Sequence, residues 1–478
     1  MPFFDRSHEL ESLEERWGSG PQLALLWGRR RIGKSALLRA FATGKPTVFY
    51  QAVKGTETEQ LAGLTQRFLA HQADPVLEAA PLANWAQAIA YLLGQARAAQ
   101  RSGETLLVVL DEFPYLVASN ANLPSILQAA WEEVKTEDLP LFLVLAGSQI
   151  AMFERHVLRG PLYGRRTWSE QLPPLSYRDA AAFTPEWTAA DRLRLWAIAG
   201  GVPYYLEQFE AKRSLAWNIE HRILEKGQVL YTEAELFIYE ELGDEAATYL
   251  SIIGAVAGGA TRQSEIAARA GVPPSAVPAY LASLRRQHVV EHIKPFGADD
   301  NARSGVWQLA DSYLRFWFRF VRPNLTDLEA RLTGEVLRDR VLPNLDEFVS
   351  MPAFEDACRE HVRASIGHDP EFPARGTVSA WWGQIPDGSE PGTRRTRRAE
   401  IEIVVHDGRR LELAAEVKWR DVVDTDALRQ LEAAVIHAPG YHQGVRLVIY
   451  GRGGFTPQLR TEAAAKGVLL RTVEDLFS

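Results

Sequence analysis

The chain has 478 residues, 46% of them hydrophobic and 24% charged, with a net charge of −8 and a pI near 5.9. Such a length fits about three domains, and the proportions are those of folded globular protein rather than of a disordered chain. The acidic balance excludes a protein that coats nucleic acid through overall positive charge, no apolar run reaches the roughly 18 residues of a membrane span, and the single cysteine, Cys358, excludes an intrachain disulfide or a cysteine-based zinc cluster.

The N-terminus is charged from Asp5 onward and has no apolar signal core, so the expected compartment is a reducing cytoplasm. Four short apolar runs follow: LALLW (Leu23 to Trp27), TVFYQ (Thr47 to Gln51), TLLVVL (Thr105 to Leu110) and LFLVLAG (Leu141 to Gly147). Continuous runs of this length suit strands buried on both faces of a parallel sheet, with helices between them. Ser176 to Gln228 reads as helical, and Glu240 to His288 as several short helices. After a loop from Lys294 to Gly305 comes an unusually aromatic helical stretch, with Tyr313, Phe316, Trp317, Phe318 and Phe320, better suited to a core than to stacking on bases. A second α/β unit starts near Pro343. It has a helix around Phe354 to Ala364, a Pro/Gly/Arg-rich segment from Gly367 to Arg398, strands, a helix near Asp426 to His437 and a strand at Arg446 to Tyr450.

Gly28-Arg29-Arg30-Arg31-Ile32-Gly33-Lys34-Ser35 matches G-x-x-x-x-G-K-[ST], after a strand and at the start of a helix that continues with Ala36. The loop amides and the helix N-terminus suit phosphates. Lys34 supplies a charge to the β- and γ-phosphates, and Ser35 a hydroxyl to Mg²⁺. The apolar strand ending in Asp111-Glu112 is its partner signal, with Asp111 for Mg²⁺ and Glu112 to orient or deprotonate the attacking water. Ser148-Gln149 closes a third strand, where Ser148 either senses the γ-phosphate or caps a helix. Arg165 and Arg166 sit where an arginine would face the phosphates, or are solvated surface residues.

The segments FFDRSHELESL, GRRRIGKSALL, VVLDEFPYL, LAGSQIAMFE, PLYGRRT, AGGVPYYL, LADSYLRFWFRFVRPN and EIEIVVHDGRRLELAAEVKW together resemble the archaeal and bacterial P-loop ATPases of the AAA+/STAND type that carry a C-terminal DUF234 region. The resemblance covers nearly the whole chain. It implies an α/β P-loop NTPase core (1–174), a helical lid (175–238), a winged helix (239–325) and a C-terminal restriction-endonuclease-like α/β domain (326–478). It also implies that Arg6 approaches the nucleotide, that Ser148 is the sensor, that Arg165 or Arg166 faces the phosphates, and that Gly200-Gly201-Val202-Pro203 belongs to the lid.

Within 263–290, Ile266, Ala267 and Ala270 fit one helical face, Gly271 turns, and Ser275 is placed to cap a second helix carrying Val277, Leu281 and Leu284. This is a helix-turn-helix pattern. On DNA, Ser275, Ala279, Ser283 and Arg286 would be the contacts, or Arg285 and Arg286 would meet phosphates. Contact with a protein is the equal alternative.

Near the C-terminus, Glu400 and Glu402 share one face of a strand, and Glu416 and Lys418 one face of the next. Two carboxylates and a lysine resemble a PD-(D/E)xK nuclease site, in which Glu402 and Glu416 hold the metal and Lys418 handles water. Glu402 stands where that family usually has Asp, and Glu355 is placed to be an extra acid. A two-residue turn near Asp407-Gly408 would put Glu402 and Glu416 on opposite faces, so a shared site requires an odd loop or a bulge. Arg394, Arg395, Arg397 and Arg398 suit either phosphate binding or a solvated linker.

The sequence therefore predicts an ATP- and Mg²⁺-dependent ATPase, coupled to a winged helix and a nuclease-like domain that acts on DNA. Its rival is a nucleotide-gated regulator or scaffold with an inactive nuclease fold that binds protein or DNA. ATP and ADP are the expected ligands and no membrane partner is expected.

Overall fold

The four apolar runs form strands β1 (Gln22–Trp27), β2 (Thr47–Gln51), β3 (Leu106–Asp111) and β4 (Leu141–Gly147). A fifth, β5 (Trp168–Gln171), is too polar to read as a strand and lies at the sheet edge. The computed structural model describes residues 6–148, 150–298, 305–386 and 396–478. These form two units, Met1–Pro174 with Val202–Tyr204, and Leu175–Gly201 with Tyr205–Ser478.

In the first unit all five strands run parallel, in the order β2-β3-β4-β1-β5. β3 and β4 are buried throughout, which is why they lack the alternation of a half-exposed strand. The helices Trp85–Ser102 and α2 (Leu123–Thr136, after α1 at Lys34–Phe41) cover the sheet through Leu92, Leu93, Leu127 and Trp131. A parallel arrangement brings the ends of β1, β3 and β4 to one edge. The loops that carry chemistry gather there.

The second unit begins with helices Tyr177–Ala180 and Ala189–Ala199. Further on, α3 (Gln263–Ala270) ends at Gly271, whose φ of 68° is the left-handed cap expected of that glycine. α4 (Val277–Arg286) follows, with Pro278 in its first turn. Ser275 does not cap it: Ala276 holds the cap position, with no side-chain bond. Strands β6 (Val290–Ile293) and β7 (Val306–Leu309) then form an antiparallel hairpin. The aromatic stretch is core, with Tyr313, Phe316, Trp317 and Phe320 all buried. Trp317 Nε1 donates to the Tyr231 carbonyl at 2.9 Å.

Helix α5 (Glu355–Ser365) leads into β8 (Thr377–Pro386), β9 (Thr396–Asp407) and β10 (Arg410–Lys418), which are antiparallel. The short β11 (Val422–Val423) pairs with β13 (Gly454–Phe455). Helix α6 (Thr425–Val435) crosses to β12 (Arg446–Gly451), parallel to β10, and β14 (Leu469–Thr472) closes the sheet in the order β14-β12-β10-β9-β8.

This unit is laced together by polar contacts. Phe296 N donates to the Ala380 carbonyl of β8 at 2.7 Å, and its ring stacks on His406 at 4.1 Å. Asp346 accepts from Trp419 Nε1 at 3.0 Å and from Arg194 Nη2 at 2.9 Å, and it also pairs with Arg452. These partners hold the Asp346 carboxyl down at about 2, against burial, which alone would raise it. At the chain's end, Tyr177 Oη and Arg178 Nε donate to the Leu476 carbonyl at 2.7 and 2.8 Å. Among the described residues no helix is long and apolar enough to cross a membrane.

Candidate functional sites

The first site lies at the strand-end edge of the parallel sheet. Gly28 leaves β1 with a φ of 153°, and a Cβ there would stand 2.7 Å from the Leu172 carbonyl, so the close passage of the chain after β5 requires glycine. Gly33 is left-handed at 96° and Arg31 at 68°, so the loop turns tightly before Lys34 opens α1. The Lys34 ammonium donates to the Gly28 and Arg29 carbonyls, each at 3.0 Å. Ala36 follows within α1.

Ser35 Oγ donates to Asp111 Oδ2 at 2.5 Å. Burial pushes the Asp111 carboxyl up, the Ser35 hydroxyl and the Lys34 charge oppose it, and Glu112 adds to the rise. A hydroxyl beside a carboxylate is a hard-oxygen donor pair that fits Mg²⁺. Glu112 is held left-handed, with a φ of 54°, a conformation that costs a non-glycine residue about 1 kcal/mol. Its Oε2 accepts from Ser148 N at 3.1 Å and from Ser148 Oγ at 2.8 Å. Ser148 thus engages the glutamate rather than a helix end. Its neighbour Gln149 lies outside the described residues.

Three further side chains fix the loop. Arg6 donates from Nη2 to the Ile32 carbonyl at 3.2 Å and to the Pro173 carbonyl at 2.7 Å. Arg30 donates to Tyr115 Oη at 3.2 Å. The Arg31 guanidinium lies 4.6 Å from the centre of the Tyr204 ring, and Pro203 Cγ is 3.7 Å from where a Gly33 Cβ would be. Val202–Tyr204 accordingly group with the first unit, whereas the resemblance implies that Gly200-Gly201-Val202-Pro203 belongs to the lid. Tyr115 and Tyr204 carry no motif of their own, and only the fold reveals their place.

Arg165 and Arg166 are not brought to this site. They precede β5, whose parallel register sets Trp168 beside Ala24, and Thr167 N donates to the Leu23 carbonyl at 2.9 Å. That is the opposite edge of the sheet from the loop after β1. Arg165 pairs with Glu132 of α2 at 2.8 Å, and Arg166 lies over the Tyr163 ring at 5.9 Å.

The second site lies on the β9–β10 hairpin. Its turn is Gly408-Arg409, one residue later than the sequence suggests, with Asp407 paired to Arg410. A two-residue turn alone would separate Glu402 from Glu416. Between Leu411 and Leu413 the register shifts by one, so that Ala414 pairs with Val404 and Ala415 with Ile403. The same register continued sets Glu416 opposite Glu402. The Lys418 ammonium is in contact with Glu416 and lies 3.7 Å from Glu402 Oε1.

Burial first, and then the Glu416 charge, push the Glu402 carboxyl up. Glu416 is also raised by burial, against the pull of Lys418. Burial opposes the charge on Lys418, but the two carboxylates outweigh it and raise its pKa. Glu402 Oε2 is buried and has no hydrogen-bond partner among the described residues. That orphaned oxygen beside a second carboxylate fits a cation.

On α5, Glu355 is pushed up to about 7 by burial, with Arg359 opposing, and it adds to the rise of Glu402. Arg359 joins the two elements: it donates to the Glu402 carbonyl at 3.1 Å and to Glu355 Oε2 at 2.9 Å. No sequence signal marks Arg359. Among the described residues no group of three or more His, Cys, Asp or Glu is arranged to hold a metal. Arg397 and Arg398 are exposed at the start of β9, and Arg394 and Arg395 lie outside the described residues.

Comparison with known proteins gives two family matches. Residues 3–209 match the family described as an ATPase domain predominantly from Archaea, and residues 317–431 match one described as archaeal and bacterial proteins of unknown function. An uncharacterized protein of Methanocaldococcus jannaschii is 25% identical over 430 residues, covering 89% of each chain. An uncharacterized ATP-binding protein of the same organism is 43% identical over 44 residues, which is 9% of this chain and 75% of that one. Among solved structures, the Walker-type ATPase of Pyrococcus abyssi has 21% identity and a TM-score of 0.49, covering 66% of this chain and 96% of its own. The ORC2 protein of Aeropyrum pernix, in ADPNP–ADP complexes, has 16% identity and a TM-score of 0.45, covering 70% and 96%. With its phosphate loop on a parallel sheet, the chain thus carries a domain of the predominantly archaeal ATPase type over residues 3–209, followed by the domain of unknown function over 317–431.

Proposed function

We propose that this ATPase is magnesium-dependent, and that its nucleotide state governs a metal-dependent, nuclease-like site acting on DNA. In the nucleotide site, the loop from Gly28 to Ser35 would bind the phosphates through its amides, and Lys34 would leave the loop carbonyls to meet the β- and γ-phosphates. Ser35 and Asp111 would hold Mg²⁺, which when bound neutralises phosphate charge. Glu112 would take or orient the proton of the attacking water, and Ser148 would hold Glu112 until a γ-phosphate competes for its hydroxyl. A phosphate role for Arg165 or Arg166 would require a second copy of the chain. The second unit would supply a lid (175–238), a winged helix (239–325) built on α3, α4 and the β6–β7 hairpin, and a nuclease-fold domain (326–478).

The observation that carries the nuclease-like reading is the bulge that sets Glu402 opposite Glu416 beside Lys418. The order α5, β8, β9, β10, α6, β12 supports it, since it presents this hairpin at the centre of a mixed sheet. A bound divalent cation supplies charge stabilisation and an acidified water for phosphodiester attack. The test is to incubate the full chain with supercoiled and linear DNA in Mg²⁺ or Mn²⁺, with and without ATP, beside Lys418→Ala. Cutting that the substitution removes supports the reading, and no cutting under any condition defeats it.

One observation favours the second reading, a nucleotide-gated regulator with an inactive nuclease fold. The Lys418 ammonium already contacts Glu416 and offsets one of the two carboxylate charges without a metal.

A further inference from the structure

We infer that the groove between α4 and β7 binds the phosphodiester backbone of nucleic acid without regard to sequence. This deepens the DNA reading above and rests on it. α4 turns Val277, Leu281 and Leu284 inward and leaves Pro278, Ala279, Ala282, Arg285 and Arg286 exposed. Trp307 of β7 forms the far wall, and Pro278, Ala282, Arg285 and Arg286 complete a cavity of about 490 Å³.

Bases are read by bidentate donors and acceptors, mostly near the N-terminus of a recognition helix. The exposed face of α4 offers Pro278, Ala279 and Ala282 there, none of which carries a side-chain hydrogen-bonding group. Tyr280 Oη is engaged by Glu245 at 2.9 Å. Ser275 and Ser283 have hydroxyls, which accept any base edge and discriminate little. Apart from Arg285 and Arg286, which stand at the C-terminal end of α4 rather than at its base-reading N-terminal end, no described side chain on this face can tell one base pair from another.

What the groove does offer is charge. Arg285 and Arg286 are exposed, and neither makes an ion pair among the described residues. Adjacent guanidiniums at a helix end are suited to phosphate oxygens. Burial first, and then the Lys294 and Arg285 charges, push the His292 imidazole beside Trp307 down. Among the described residues, Glu291 pairs with Gln308 on the other face of the hairpin from His292 and Trp307, and Glu265 binds the Thr261 and Arg262 amides. The small Pro278 and Ala282 side chains let a backbone approach closely.

The test is anisotropy of the full chain with labelled 30-base-pair duplexes of unrelated sequence, over a salt series, beside the double variant Arg285→Ala/Arg286→Ala. Both substitutions are at exposed positions. Affinities within about threefold across sequences are expected, and the double variant should lose about tenfold, with the log–log salt slope shallower by about 1 per arginine. Hundredfold sequence discrimination, an unaltered double variant, or displacement by poly-glutamate as readily as by unlabelled DNA would each overturn the inference, the last by reassigning the face to protein. Cleavage of the same duplexes by the native chain in Mg²⁺ or Mn²⁺ keeps the two readings apart: it reports on the nuclease-like site, whereas the loss of binding in Arg285→Ala/Arg286→Ala is expected whether or not the native chain cuts.

Discussion

In the parallel sheet of the first unit, Asp111 and the phosphate loop meet because every strand ends at the same edge. In the antiparallel hairpin of the second unit, Glu402 and Glu416 meet only because one residue bulges out of β10. The two sites also differ in how their charges are satisfied. Asp111 and Glu112 are each held by a hydroxyl, from Ser35 and Ser148, and Lys34 by loop carbonyls. Glu402, Glu416 and Lys418 are packed against one another, with Glu355 adding repulsion and one Glu402 oxygen without a hydrogen-bond partner among the described residues. The first site is poised without its ligand, while the second carries buried charge that a cation would relieve.

That contrast can be broken at several points. The largest effect belongs to Glu112→Gln, which keeps the shape of the side chain and removes its basicity. ATP turnover should fall by about 10²–10⁴-fold while nucleotide binding persists. Ser148→Ala should cost less, and an order of effects reversed in steady-state assays would contradict the assignment. Lys418→Met leaves two buried carboxylates without their counter-ion, a loss worth about 3 kcal/mol. Thermal melts at pH 8 should show it, and adding Mn²⁺ or Glu402→Gln should restore part of the loss. An unaltered melt would mean that the cluster is not strained.

Gly201→Ala tests the fold of the second unit, because a Cβ there would stand 1.9 Å from the Leu175 carbonyl. Backbone displacement of that kind costs about 3 kcal/mol, and a melt unchanged from the native chain would dispute the packing. The smallest effect is that of Asp346→Asn. The Asp346 carboxyl is lowered to about 2, so its contribution to stability is present above the ordinary carboxylate range and is lost as pH falls through that value. The substitution should lower the melting temperature by about 2 °C at pH 6, and the gap should narrow from pH 5 towards pH 2. A gap that widened on acidification would give the wrong sign.

Much of the nucleotide site is legible in the sequence because it is local. Gly28 to Ser35 is one turn of chain, and Asp111-Glu112 ends an apolar run that only a buried strand would tolerate. β5 was not legible, since an edge strand needs no apolar face, and with it went the true place of Arg165 and Arg166. The pairing of Glu402 with Glu416 was legible only as a condition: alternation demands a bulge or an odd loop, but no residue type announces a bulge at 412. Arg359, Tyr115 and Tyr204 act through contacts distant in sequence; Tyr115 and Tyr204 lie in the segments VVLDEFPYL and AGGVPYYL, but the order of residues does not say what they touch.

The most direct measurement is Mg²⁺-dependent ATP binding and turnover by the full chain beside Lys34→Ala. Saturable binding and turnover, both lost in the variant, are what the phosphate-loop site requires. Turnover undiminished by Lys34→Ala would contradict the account at its centre.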